Sequence, residues 1–273
     1  MIVARTTDDG FIARLINVQG PCTTPLDAAI EYMRARIERI APWYVLAMAP
    51  HAIVTVLLID VIIAGQRSRI APLCLWLLAA TLWRWACLAR LQQDVLRDLG
   101  QAGDVRLWSR LPAIICVRMA SNVGITWGSI ALGVPAFYGL FMGGFVAPLL
   151  LESRDPAVPR VRACMSWITH AGRRLLRVTL VMTLIILVGT IAAFVSQMVL
   201  ANTVLSSLLG IDTADLNVTL GSWAWRLRVF YGLFLLFDVY WTVACVFLYY
   251  DSQSRRTATD LRVRLTDLTK AGA

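Results

Sequence analysis

From Leu111 to Leu151 the chain runs for 41 residues with a single charge, Arg118. A helix that crosses a bilayer needs about 20 apolar residues, so this run holds two, broken at Leu132-Gly133-Val134-Pro135, where glycine and proline interrupt regular structure. The first helix carries Ala120, Gly124 and Gly128, and the second Gly139, Gly143 and Ala147, each set at four-residue spacing. Small residues at that spacing form one face and let two backbones approach closely. The two helices are therefore expected to pack as a hairpin; a lining for a substrate path is the other reading of the same glycines.

The composition agrees with a membrane chain. It is 58% hydrophobic and 16% charged, with mean hydropathy +0.66, and a soluble domain does not place apolar runs of this length in series. Other runs mark spans at about 43–64, 70–88, 178–200 and 230–250, which with 111–132 and 134–151 make six. The net charge is +9. Its arginines stand beside the spans, where anionic lipid headgroups attract them, so the lipid bilayer and its headgroups are the expected partners and nucleic acid is not. Lys270 is the sole lysine. The six cysteines show no paired spacing, the first 40 residues or so hold no apolar segment of a secretory signal, and no cofactor or metal is implied.

Along the chain, residues 1–23 read as a flexible tail. Thr24-Pro25-Leu26-Asp27 reads as a helix start, followed by an amphipathic helix over 24–41 with Leu26, Ile30, Met33, Ile37 and Ile40 on its apolar stripe. That helix either lies flat on the membrane or docks on the protein's own cytosolic face. The second span continues in pattern through Leu91, Val95 and Leu99 to Gly100, a natural cap, and so projects from the membrane. After the hairpin comes a basic amphipathic helix whose Arg160, Arg162, Arg173, Arg174 and Arg177 are candidates for the headgroup interface. Residues 201–225 form the longest outer connection. The 251–273 tail carries an alternating Leu261, Val263 and Leu265 that suits a short strand. Arginine bias puts the N-terminal tail, the 89–110 connector, the 152–177 segment and the C-terminal tail on one side; Arg67 and Arg69 alone dissent. The positive-inside rule then gives both termini in the cytosol. The expected fold class is all-α, polytopic, with cytosolic amphipathic helices.

The stretch from Gly133 through Glu152 to Arg177 resembles a widespread bacterial membrane domain. That domain occurs alone in YciC-like proteins and fused to some glycerophosphoryl diester phosphodiesterases. The likeness is carried by Glu152 at the end of an Ala-Pro-rich span, by Ser166, Trp167, Thr169 and Gly172 on the following helix, and by the exit Leu248-Tyr249-Tyr250-Asp251 with Arg255, Arg256, Asp260 and Leu261. Gly-Val-Pro replaces the usual Pro-Gly, and the threonine stands one position early. The resemblance implies a membrane fold and a bacterial inner-membrane location. The phosphodiesterase catalytic domain is absent.

Ionisable residues inside spans cost at least about 2.5 kcal/mol at the bilayer centre unless paired. Arg84, Arg118 and Asp238 are such residues, and at 1.5 Å per residue all three fall where they can meet in the cytosolic half. They form either a structural ion-pair cluster or a polar site that binds an anion or relays protons. Asp60, near the outer end of its span, reaches water or pairs with Arg226 or Arg228. No catalytic motif is present, and His51 and His170 are too few for a histidine-rich metal site. The expected function is that of a non-enzymatic subunit or scaffold of a bacterial envelope complex, recruiting protein partners through its cytosolic helices. The alternative is a transporter or binder of a lipid-like or amphipathic anion.

Overall fold

The computed structural model describes residues 24–100, 105–130, 134–152, 155–199 and 223–271. The 1–23 tail, the Leu132-Gly133 part of the hairpin turn and most of the 201–225 connection lie outside the described residues. Among the described residues there is no strand, and the elements are α1 (Thr24–Ala35), α2 (Ile37–Ile63), α3 (Arg67–Asp98), α4 (Leu107–Ile130), α5 (Val134–Glu152), α6 (Ala157–His170), α7 (Gly172–Val199) and α8 (Trp223–Ala271). Four helices, over Ile37–Ile63, Arg67–Asp98, Gly172–Gln197 and Trp225–Gln253, are long and apolar enough to cross a membrane, and Ala136–Glu152 is a shorter apolar helix. The chain divides into two compact units: residues 1–41, 88–177 and 240–273 form one, and 42–87 and 178–239 the other.

In the first unit α5 is apolar on every side and is correspondingly enclosed: Phe141, Phe145, Val146, Ala147, Leu149, Leu150 and Leu151 are all at most 2% exposed. The hairpin packs through the glycines of α5. A Cβ on Gly139 would stand 2.5 Å from the Ser121 carbonyl oxygen and 2.9 Å from Ile125 Cγ1, and one on Gly143 3.4 Å from Ser121 Cβ. On α4 the facing residues are thus Ser121 and Ile125. Ala120, expected on that face, is exposed; Gly124 is half-buried. A third glycine, Gly144, is packed against Cys245 of α8, a contact outside the four-residue stripe.

The amphipathic helix 24–41 is two pieces. It ends at Ala35, and α2 begins at Ile37. Its buried face is Leu26, Ala29 and Tyr32, whereas Ile30 is 44% and Ile37 53% exposed. The stripe is turned from the expected one because Tyr32 is drawn inward: its hydroxyl donates to Asp98 Oδ2 at 2.8 Å, and its ring meets Phe247 at 5.8 Å between centroids. Tyr240 Oη donates to the Leu26 carbonyl at 3.3 Å. Of the two placements open in the sequence, α1 takes the docked one. The end of α3 is docked in the same unit, with Leu91, Val95, Leu96 and Leu99 at most 5% exposed. Gly100 closes it at φ +69.

In the second unit α7 turns an apolar face outward. Leu180, Leu184, Leu187, Val188, Ile191, Val195 and Val199 of α7 are all more than half exposed, the surface a lipid-facing helix presents. The α2–α3 connection is tighter than the Gln66–Arg69 loop expected. Gly65 at φ +66, with Gln66 N donating to Val61 O and Gly65 N to Ile62 O, both at 3.1 Å, makes a Schellman turn, and α3 starts at once. The strand suggested by Leu261, Val263 and Leu265 does not form: α8 is one helix of 49 residues to Ala271, about 73 Å at 1.5 Å per residue. An alternating triplet is too short to override a helix already propagating through it.

Candidate functional site: polar networks within the helices

Proline has no N–H, so inside a helix at position i it leaves the carbonyl of i−4 without its donor. In lipid that carbonyl must find another. Pro148 in α5 frees the carbonyl of Gly144, and Gln92 Nε2 of α3 donates to it at 3.1 Å. The same nitrogen donates to Thr242 O of α8 at 3.0 Å, and Gln92 Oε1 accepts from Arg118 Nη2 of α4 at 2.9 Å. Arg118 Nε also donates to Gly143 O at 3.3 Å. Gln92 is fully buried and Arg118 is 6% exposed. One amide thus ties four helices of the first unit. Pro50 in α2 repeats the pattern in the second unit: it frees the carbonyl of Leu46, and Trp83 Nε1 of α3 donates to it at 2.9 Å.

Arg84 and Asp238 form a close pair in the second unit, Nη2 to Oδ2 at 2.6 Å and Nε to the same oxygen at 3.1 Å, with the Arg84 guanidinium over the Phe234 ring. Arg118 was expected with them. It belongs instead to the first unit, because Gln92 and the Gly143 carbonyl satisfy its guanidinium there. Further along the second unit Asp60 pairs with Arg228. Between these pairs, Thr55 Oγ1 stands 3.1 Å from the Tyr231 hydroxyl, which in turn bonds Nδ1 of His51.

At the C-terminal end of α5 in the first unit, Glu152 accepts from Tyr249 Oη of α8 at 2.6 Å and from Gln253 Nε2 of α8 at 2.9 Å. Arg160 takes the Leu149 carbonyl at the end of α5, where the last carbonyls of a helix lack intrahelical partners. It also pairs with Asp155 at 3.4 Å and Glu152 at 3.9 Å. Trp167 lies 5.7 Å from the Tyr249 ring, and Arg174 pairs with the buried Asp251. The five arginines expected at the headgroup interface are thus divided. Arg160 and Arg174 turn inward to carboxylates, because Glu152, Asp155 and Asp251 stand within reach. Arg162, Arg173 and Arg177 stay exposed, as do the apolar Val158 and Met165 on α6. On the inner side of α6, burial pushes the Cys164 thiol up to about 12.

The sequence marks Arg84 and Asp238 because a charge in an apolar run stands out. Gln92, Thr55 and Tyr231 were missed, since uncharged polar residues hardly disturb the hydropathy pattern. The orphan carbonyls offered a signal: Pro50 and Pro148 name Leu46 and Gly144 by subtraction. Among the described residues no three His, Cys, Asp or Glu side chains are grouped to hold a metal. The fold is that of a multi-pass helical membrane chain. In comparisons with known proteins it matches no family model, no curated protein and no solved structure.

Proposed function

We propose that this chain is a non-enzymatic integral subunit or scaffold of an envelope complex in a bacterial inner membrane. In this reading α2, α3, α4, α5, α7 and α8 cross the bilayer and both termini lie in the cytosol. The observation that carries it is the length of α8. About 30 Å of hydrocarbon uses some 20 of its residues, and the helix continues through Arg255, Arg256, Asp260, Arg262, Arg264, Asp267 and Lys270. A polar helix running on beyond a membrane is suited to bridging to another protein. The helix at 24–41 and the end of α3, the features that suggested partner binding in the sequence, instead bury their apolar faces within the first unit. The bacterial location rests on the resemblance to the YciC-like membrane domain. The exposed Arg162, Arg173 and Arg177 suit anionic headgroups.

The anion-binding alternative ranks second. Arg84 already holds Asp238 at 2.6 Å and Arg118 holds Gln92 at 2.9 Å, so an anion entering either centre competes with an existing partner. The test is purification from native membranes in mild detergent, with mass spectrometry of all that co-elutes, for the full chain and for a chain stopped after Gln253. Partners are expected with the first and not with the second. If no protein co-elutes with the full chain, or if the shortened chain keeps every partner, the scaffold reading fails; one retained anionic lipid class instead favours the alternative.

A further inference from the structure

The polar contacts of the second unit fall into register along one seam. Asp60 of α2 pairs with Arg228 of α8. Thr55 and His51, one and two turns further along α2, meet Tyr231, and the His51 and Tyr231 rings stack at 5.9 Å. Asp238, two turns beyond Tyr231 on α8, pairs with Arg84 of α3. Positions descend on α2 as they ascend on α8, as antiparallel neighbours require. On α8 the seam runs from Arg228 to Asp238, ten residues apart, about 15 Å at 1.5 Å per residue, half of roughly 30 Å of hydrocarbon. Helices can be fastened by one or two polar pairs. A row of carboxylate, hydroxyl and imidazole groups through half of a bilayer is the kind of arrangement proton relays use.

We propose that the α2–α8 seam is a proton pathway, closed in this conformation by Met48 and Leu235. The outer half is Asp60 and, after five residues or about 7.5 Å that water must bridge, the Thr55–Tyr231–His51 group; the inner half is Asp238 with Arg84. His51 is the exchanging group between them, taking a proton at one ring nitrogen and releasing one from the other. The groups that act on it are Tyr231 and Asp238 from α8, Arg84 from α3, and Thr55 on its own helix. Each transfer breaks one N–H or O–H bond and forms another, so charge and atoms balance with no co-reactant beyond the proton gradient. The interval from Tyr231 to Asp238 is seven residues, about 10 Å, too long for a direct hydrogen bond. At the corresponding positions stand Met48 at 4% and Leu235 at 7% exposure. Opening requires these two side chains to part so that water joins the halves.

The pathway rests on α2, α3 and α8 crossing the bilayer and is independent of any protein partner. The experiment is proton flux into proteoliposomes of the full chain under an imposed potassium-diffusion potential, read with a trapped pH dye. Met48→Ser is expected to raise flux above that of the wild type and of protein-free vesicles. Adding His51→Gln or Tyr231→Phe to Met48→Ser is expected to return it to background, whereas adding Leu180→Ala, on the exposed face of α7 and outside the seam, is expected to leave it raised. Size-exclusion profiles and melting temperatures confirm that each variant is folded. Flux at background in Met48→Ser, or flux in that variant that His51→Gln and Tyr231→Phe do not lower, overturns the proposal. Failure here with protein partners still co-eluting leaves the scaffold reading standing, so the two are separable.

Discussion

A carbonyl orphaned by proline inside an apolar helix has no water to turn to, and at Pro50 and Pro148 a side chain of α3 replaces the missing N–H. The two replacements differ in consequence. Trp83 makes one bond to the Leu46 carbonyl, so Trp83→Phe is expected to lower stability by about 1 kcal/mol. Gln92 serves Gly144, Thr242 and Arg118 together, so Gln92→Leu strands a carbonyl and disturbs a buried guanidinium, at about 2–3 kcal/mol. Pro148→Ala gives Gly144 back an N–H donor from its own helix. In that background Gln92→Leu is expected to cost about 1 kcal/mol less, as read by thermal unfolding in detergent. Equal costs in the two backgrounds would mean that the Gly144 contact is incidental. The charged pair Arg84–Asp238 was legible in the sequence because hydropathy registers charge. The pairing of Arg118 was not, because its partners are a neutral amide and a backbone carbonyl.

At the scale of the element, α1 shows how a helix read correctly in kind was misplaced in face. Apolar periodicity chose Leu26, Ile30, Met33, Ile37 and Ile40; Leu26 and Ile40 are buried and Ile30 and Ile37 exposed, because the buried face takes in Tyr32, whose ring packs on Phe247 while its hydroxyl reaches Asp98. Periodicity counts tyrosine as ambiguous, and only the position of Asp98 on another helix resolves it. Asp98 also receives Arg39 at 3.5 Å and Arg36 at 3.8 Å, so it holds the junction of α1 and α2. Burial first, and then the Asp98 charge, raise the Tyr32 pKa above its ordinary value. The sign follows from linkage. Below pH of about 10 the phenol is protonated whether α1 is docked or not, and above it the undocked phenol ionises first. The phenol's contribution to docking is therefore constant up to about pH 10 and weakens above it. Asp98→Asn removes the attraction for both arginines and is expected to speed tryptic cleavage after Arg34, Arg36 and Arg39 at neutral pH. An unchanged cleavage rate would show that the apolar face alone secures α1.

For the whole molecule, the class of fold was legible because long apolar runs have few physical outcomes. The helices at 37–63, 67–98, 172–197 and 225–253 have the length and composition of spans. The 107–130 and 134–152 pair forms a close-packed hairpin around Gly139 and Gly143. The division into two units was not legible, since it depends on which side chains of one continuous helix find partners at each level. The central claim is that the hairpin crosses the bilayer with the other four helices, giving six crossings. Single cysteines introduced into a cysteine-free chain test it most directly. The positions are Glu31→Cys, Gln66→Cys, Ala131→Cys and Asp155→Cys, probed with a membrane-impermeant thiol reagent on sealed right-side-out vesicles. The six-span account predicts labelling at 66 and 131, and protection at 31 and 155 until the vesicles are opened. Protection at 131, with 66 labelled from outside, would leave only four crossings and contradict it.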